Sequence, residues 1–302
     1  MKTAGMKTHR ESADPWDVVV VGAGPTGLLL AGELAAQGLR VAVLERDLER
    51  DPTPKGNGIV GRASVELAKR GVFAGTDFKA IRPPRFQFGP IPLRLGLWPA
   101  SPLHILPIPQ RRLEELLERR AVQRGADLRR GHVVLGIQQT ESRVEAEVLG
   151  GDRPHRMLAR YVLRASLHRV LGADLPFTDA TAMRTTVGNS RIASTYRAGR
   201  VLLAGDAAHI FNTGGSSLNA GLLDALELAS HLTAALRGGS PEDIDAYEKA
   251  RRPAGLRTLS HTRVQAALSR DDGNATALRE IMGHLVATRG AARRLAGLIE
   301  NP

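Results

Sequence analysis

Two glycine-bearing turns, far apart in the chain, carry the clearest chemistry. The first is Gly22-Ala23-Gly24-Pro25-Thr26-Gly27, which follows the apolar run Asp17–Val21 and opens a stretch with helical apolar spacing, Pro25–Gln37. A Gly-x-Gly-x-x-Gly turn between strand and helix is built for a pyrophosphate. Gly22 permits the tight turn, Gly24 removes a Cβ from the path of the phosphates, and Gly27 lets the helix pack on the strand. The helix start adds unpaired N–H groups and a positive dipole end. Glu45, with Arg46 behind it, closes the next apolar run, Val41–Glu45. A carboxylate there accepts hydrogen bonds from ribose hydroxyls and repels a 2′-phosphate, so the nucleotide is FAD or NAD rather than NADP. The second turn is Gly205-Asp206-Ala207-Ala208-His209 after the apolar run Val201–Ala204, followed by Gly214-Gly215-Ser216-Ser217-Leu218-Asn219 before a long helix. Asp206 at a strand end suits sugar-like hydroxyls, and the helix start suits negative charge on a bound ring system.

The elements that must position these residues follow from periodicity. Asp17–Val21, the Pro25–Gln37 helix and Val41–Glu45 make a β-α-β unit. Lys55–Gly61 reads as a glycine-rich loop, followed by a helix over Arg62–Lys69. Arg85–Gly89 and Leu93–Trp98 read as a hairpin in a proline-punctuated stretch. Gln110–Gln123 is a helix with an apolar stripe at Leu113, Leu116, Leu117 and Ala121. Asp127–Gln139, Arg143–Leu149 and His155–Val162 alternate as a small antiparallel ribbon, and Leu163–Leu171 reads as a helix. Ala182–Thr186 and Arg191–Tyr196 are expected to be extended. From Gly215 the chain is helical, with breaks near Gly238–Ser240 and Asp271–Asn274.

Composition narrows the function. The chain has 302 residues, 42% hydrophobic and 24% charged, as in ordinary globular proteins. It has no cysteine, which excludes disulfide scaffolds, thiolate metal sites and cysteine nucleophiles. The nine histidines show no ligand spacing, so no metal is expected. Ser216 and Ser217 lack the elbow of a serine hydrolase. The net charge of +11 comes mostly from arginine, spread in pairs among Glu114, Glu115 and Glu118 as on a solvated face, and aromatics are 4%. No nucleic-acid partner is expected. Met1–Asp14 lacks the apolar core of a secretory signal, and no apolar run reaches the ~18 residues of a membrane span. The expectation is a cytoplasmic protein acting on a small molecule, with no membrane partner.

With these motifs on the page, the sequence resembles the FAD-dependent aromatic hydroxylases of the para-hydroxybenzoate hydroxylase type, in their polyketide-tailoring branch. The resemblance runs through Asp17–Arg46, Arg62…Arg70-Gly71, Gln110-Arg111-Arg112-Leu113-Glu114, Arg197–His209, Tyr247, Arg251-Arg252-Pro253 and Leu295-Ala296-Gly297. It implies an α/β fold: a Rossmann-like FAD-binding domain with a β-ribbon insertion, a reduced substrate sheet and C-terminal helices. Residues 1–14 would be a disordered tail and 15–302 the FAD-binding domain, with 80–104 and 163–196 as the remaining parts of a substrate domain. By the resemblance, Gly22, Gly24, Pro25, Thr26 and Gly27 hold the FAD pyrophosphate and Glu45 the adenosine ribose, with Arg46 and Arg62 close by. Gln110 would contact the phosphate–ribityl region, Gly205 and Asp206 the ribityl chain, and Gly214, Gly215, Leu218 and Asn219 the isoalloxazine edge. Lys55 stands where many relatives have arginine. NAD(P)H would act as a transient reductant, and no side-chain nucleophile is needed, so no catalytic residue is assigned.

Three departures qualify that picture. A Gly-Ala-Asp-Gly segment after Tyr161-Val162, and most of the substrate sheet, are missing. The loop after His209 is one residue shorter and has Ser216-Ser217 for Gln-Gly. The chain ends near Pro302, where many relatives add a domain. The expected function is therefore FAD-dependent hydroxylation or epoxidation of a polyketide-like aromatic molecule. The alternatives are a flavoprotein in which FAD is structural and the pocket performs a non-redox cyclisation, and a non-enzymatic FAD-binding remnant.

Overall fold

Val18 and Val20 point to one face of their strand and Val19 to the other, and all three are fully buried. The same alternation repeats in the neighbouring strand, where Val41 and Val43 join Val18 and Val20 in one core while Ala42 and Leu44 join Val19 in a second. A strand buried on both faces must be the middle of three layers. Each such valine contributes ~1.5–3 kcal/mol by leaving water.

The computed structural model describes residues 9–10, 15–52, 58–97, 103–151, 153–166, 190–211 and 216–300. Its middle layer is built from β1 (Trp16–Val21), β2 (Val41–Glu45), then β5 (Asp127–Arg130), β8 (Arg153–Arg164) and β9 (Val201–Leu203). They run in the order β9-β8-β1-β2-β5, all parallel. One outer layer is helical: α1 (Pro25–Ala35), α3 (Gln110–Gln123) and α4 (Ser216–Leu236). The other is an antiparallel ribbon of β6 (His132–Gln139), β7 (Val144–Gly150) and the first half of β8. A short helix α2 (Arg62–Lys69) precedes a two-stranded hairpin of β3 (Arg85–Phe88) and β4 (Ile91–Arg94). The chain continues through α5 (Asp245–Leu268), α6 (Gly273–Val286) and α7 (Arg289–Glu300). Phe88, Ile91 and Leu93 of the hairpin share a core with Leu268, Ala292 and Ala296.

The expected mixed α/β architecture is present, with local corrections. Leu163 and Arg164 are strand, not helix: Leu163 pairs with Val20 on one side and Leu202 on the other, so the sheet claims its backbone groups. The strand ends at Arg164, and from residue 167 the rest of the expected helix lies outside the described residues. The second hairpin strand starts at Ile91, directly after the Gly89-Pro90 turn, and gives way to a 3-10 turn at Leu95–Leu97. Ile59–Val60 is not loop but pairs antiparallel with Ile105–Leu106. Of the expected Arg191–Tyr196 strand, only Arg191–Ile192 is strand, paired with His209–Ile210. Within the expected tail, His9–Arg10 pairs in parallel with β8. The helical C-terminus has a further break at Ala287–Thr288. Ala182–Thr186 and Lys55 lie outside the described residues.

The hairpin leans on α5 through one polar relay. The Gly89 N–H donates to Gln265 Oε1 at 3.2 Å, and Gln265 Nε2 meets His261 Nδ1 at 3.1 Å. The His261 ring lies 6.3 Å from that of Phe88, and burial pushes its pKa from 6.5 down to about 4. Unfolded chains then bind more protons than folded ones between those values, so stability falls as pH drops through this window. Urea denaturation is expected to show a loss of up to about 3 kcal/mol from this group between pH 6.5 and about 4, and the His261→Gln variant should lack that part of the acid slope.

Candidate functional site

The strand register sets the site. Val21, Leu44, Arg164 and Leu203 stand side by side at the carboxyl ends of four parallel strands. Each next residue then reaches back to its neighbour: Gly22 N–H to Leu44 C=O at 2.8 Å, Ala165 N–H to Val21 C=O at 3.0 Å, and Ala204 N–H to Arg164 C=O at 3.1 Å. The Gly22, Glu45, Ala165–Ser166 and Gly205 segments thus leave the sheet along one edge, where α/β sheets bind ligands.

At this edge the two glycine turns meet. Gly22 has φ +111° and a Cβ there would lie 2.9 Å from Ser166 Oγ. A Cβ on Gly27 would collide with the Gly22 carbonyl. Gly205, at φ +58°, and Gly221 both lie against Thr26, where a Cβ on either would come within 2.6 Å of Thr26 Oγ1. Thr26 is in the first turn of α1 and Gly221 in the second turn of α4, so the positive ends of both helices face the same corner. Gly24 differs. Its backbone is ordinary, φ −76° and ψ 177°, and a Cβ there would meet no protein atom within 4 Å. Protein packing does not require a glycine at this position. The space above it is open beside the N–H groups of Thr26 and Gly27, which the helix leaves without an intrahelical acceptor.

The carboxylates and amides sit around this corner. Glu45 bends back over the turn, accepting the Ala23 N–H at 2.7 Å on Oε2 and the Asp47 N–H at 3.1 Å on Oε1. A carboxylate has about four lone-pair positions, so two remain for hydroxyl donors. Asp206 is exposed within a 3-10 turn, Gly205–Ala207, rather than on the strand itself. Arg46 is exposed and pairs with Asp47 at 3.4 Å. Arg62 opens α2 on the surface. Gln110 opens α3 and its Nε2 donates to Glu114 Oε1 at 2.9 Å. Pro25 is the first residue of α1. Leu218 packs on the main core, while Asn219 is buried and its Oδ1 accepts the Val60 N–H at 2.9 Å. Gly214 and Gly215 lie outside the described residues.

Sequence reading missed the support beneath Gly205. Asp224 of α4 is fully buried and accepts the Gly205 N–H (3.2 Å) and His209 Nε2 (2.6 Å) on Oδ2, and Arg251 Nε (2.8 Å) on Oδ1. Burial opposes its charge, but His209 and Arg251 outweigh this and hold its pKa below the ordinary value. The Tyr247 hydroxyl donates to Leu203 C=O at 2.9 Å. The signal was present as an acidic residue among Leu222, Leu223 and Ala225. Glu118, expected on a solvated face, instead takes Arg50 and Arg130, each at 2.6 Å. Among the described residues, no group of three His, Asp or Glu could hold a metal, and no helix is long and apolar enough to cross a membrane.

This geometry agrees with what the chain is similar to. The FAD binding domain family matches residues 15–166 and 158–262, and the chain belongs to that family. It is 30% identical to the anhydrotetracycline monooxygenase of Streptomyces rimosus, over 94% of this chain and 76% of the relative. The structure of the anhydrotetracycline hydroxylase OxyS from Streptomyces rimosus superposes with a TM-score of 0.82 at 31% identity, covering 95% of this chain and 76% of that one. The dialkyldecalin synthase of Streptomyces rugosporus is 27% identical over 89% of this chain and 76% of that protein. The first alignment spans 381 positions, more than the 302 residues here, so the relative carries internal segments with no counterpart in this chain.

The corner fits FAD. The open space over Gly24 is the cradle that a Cβ would fill, and the helix starts are suited to a pyrophosphate. Gly24→Val should leave the unfolding midpoint of the FAD-free protein nearly unchanged and raise the FAD dissociation constant about tenfold or more. Gly27→Val, in contrast, should lower the midpoint itself, because its side chain meets the Gly22 carbonyl. Thermal melts and fluorescence titration of the two variants separate these outcomes.

Proposed function

We propose that the protein is an FAD-dependent monooxygenase that hydroxylates or epoxidises a polyketide-like aromatic small molecule, with NAD(P)H as reductant and O2 as oxidant. The observation that carries this is the meeting of the Gly22–Gly27 and Gly205–Asp206 turns beneath the open cradle at Gly24. The similarity to tetracycline-pathway oxygenases supports the substrate class.

Bound FAD supplies two-electron acceptance from NAD(P)H and the subsequent activation of O2. The chain's own residues bind and orient it. The N–H groups at the start of α1 take the pyrophosphate, with Gly22, Pro25, Thr26 and Gly27 shaping the turn. The two remaining lone-pair positions of Glu45 take adenosine ribose hydroxyls, and Arg46 and Arg62 add positive charge nearby. Asp206, beside Gly205, takes a ribityl hydroxyl, and Gln110 approaches the phosphate–ribityl region. Leu218 and Asn219 border the ring. The β3–β4 hairpin, seated on α5, α6 and α7, is what remains of a substrate-side wall, and its buried Phe88, Ile91 and Leu93 fix its position. Residues 15–302 form the FAD-binding unit in this reading. A cytoplasmic location belongs to it, because NAD(P)H is available there.

A second reading is a non-redox cyclisation with FAD as a structural element. The relative named as a dialkyldecalin synthase favours it.

The two readings separate in one experiment on FAD-loaded protein. Under anaerobic conditions NADPH should bleach the long-wavelength flavin band, faster with anhydrotetracycline present. Admission of air should then give a product heavier by one oxygen atom. A flavin that stays oxidised while a polyene probe cyclises would establish the second reading. Bound flavin with neither reaction would overturn both.

A further inference from the structure

The Gly205–Asp206 turn is held from beneath by a buried ion cluster spanning three segments. Asp224 projects from α4, Arg251 from α5, and His209 from the strand pair that follows the turn. Asp224 and His209 have side chains 0% and 1% exposed, and that of Arg251 is 11% exposed. The carboxylate receives three donors, from the Gly205 backbone, His209 Nε2 and Arg251 Nε, at 3.2, 2.6 and 2.8 Å. An ionised carboxylate only accepts, so its partner places the proton of His209 on Nε2. Stacking of His209 on Phe211, with ring centroids 4.8 Å apart, fixes the imidazole plane. Gly205 needs this hold, because its left-handed backbone (φ +58°) places it against Thr26 of the other turn.

Resting on the FAD reading, we propose that Asp224 is a positioning residue. By gripping the Gly205 N–H and His209 together, it holds the Gly205–Asp206 turn in the shape that presents Asp206 to the ribityl chain of FAD. Arg251 supplies the counter-charge that lets a carboxylate stay ionised there. An amide in place of Asp224 has the right shape but turns its NH2 either toward the Gly205 and His209 donors or toward the Arg251 donor, leaving a buried donor unmatched whichever way it flips.

The test is FAD affinity of the full chain, by fluorescence titration, for Asp224→Asn, Asp206→Ala and the double variant. Asp224→Asn should weaken FAD about tenfold or more. If it acts through the turn, the double variant should bind FAD no worse than Asp206→Ala alone. A merely structural Asp224 would give losses that multiply, and that result overturns the proposal, as does unchanged affinity. Should Asp224→Asn fail to fold, His209 is tested instead. His209→Leu should weaken FAD, and His209→Gln, which can still donate to Asp224, should restore it; equal affinity in both overturns the proposal. Gly24→Val serves as the independent control on the other turn. If neither Gly24→Val nor Asp206→Ala alters FAD binding, the FAD reading itself fails. If they do and Asp224→Asn does not, only the positioning role fails.

Discussion

The close approach of two backbone turns, with only the Thr26 side chain between Gly205 and the start of α1, is the constraint on which the rest of the structure depends. Gly27 lies on the Gly22 carbonyl, while Gly205 and Gly221 press on Thr26. Any Cβ at these positions would push α1 off β1 or α4 off α1. The helical layer could then no longer close over Val18, Val20, Val41 and Val43. Cofactor geometry and core packing therefore rest on the same few atoms. That is why four glycines here are fixed by protein neighbours, whereas Gly24 is left for a ligand to explain.

The parts legible in sequence were those governed by local rules. β2, α2 and α3 begin and end where periodicity places them, at Val41–Glu45, Arg62–Lys69 and Gln110–Gln123. Leu163 shows where such rules stop. In a strand buried on both faces, alternation disappears, and Leu163-Arg164-Ala165 can equally be read as one turn of an apolar helix. What decides the matter is non-local: ladder partners at Val20 and Leu202. The candidate site divides similarly. Its glycines and Glu45 announced themselves by spacing, but the support from Asp224 depends on residues 15 and 27 positions away in sequence, His209 and Arg251. No window of local pattern contains all three.

Charge followed the same division. The excess of arginine looked like a solvated surface, and part of it is: Arg111 and Arg112 pair with Glu115 at an exposed position, worth little. Other arginines pin elements together. Arg130 and Arg50 share Glu118, joining the edge strand β5 to α3. Arg40 and Arg129 lie over the Trp16 ring, at 5.1 and 5.6 Å from its centroid, at the start of β1. A guanidinium can pair and stack at once, so arginine suits joints between layers that apolar side chains leave at the rim.

The layered plan also leaves the β3–β4 hairpin outside the parallel sheet. The ribbon covers one face of the parallel sheet and the helices the other, and the glycine turns lie at the strand ends, where α/β sheets bind ligands. The β3–β4 hairpin has no sheet of its own to join and is instead seated on the C-terminal helices through Phe88, Ile91, Leu93, Leu268, Ala292 and Ala296. Those helices are themselves anchored to the segments around α2. The end of α7 lies against Gly61, whose φ of +74° starts α2, and Glu300 takes the His104 backbone N–H at 3.2 Å and its ring at 3.3 Å. Burial raises the Glu300 pKa, which His104 and Arg82 partly offset. The hairpin is thus linked, through α7, to the segments around α2. A two-stranded ribbon is marginal alone; here the helices supply the apolar surface that a larger sheet would otherwise have provided.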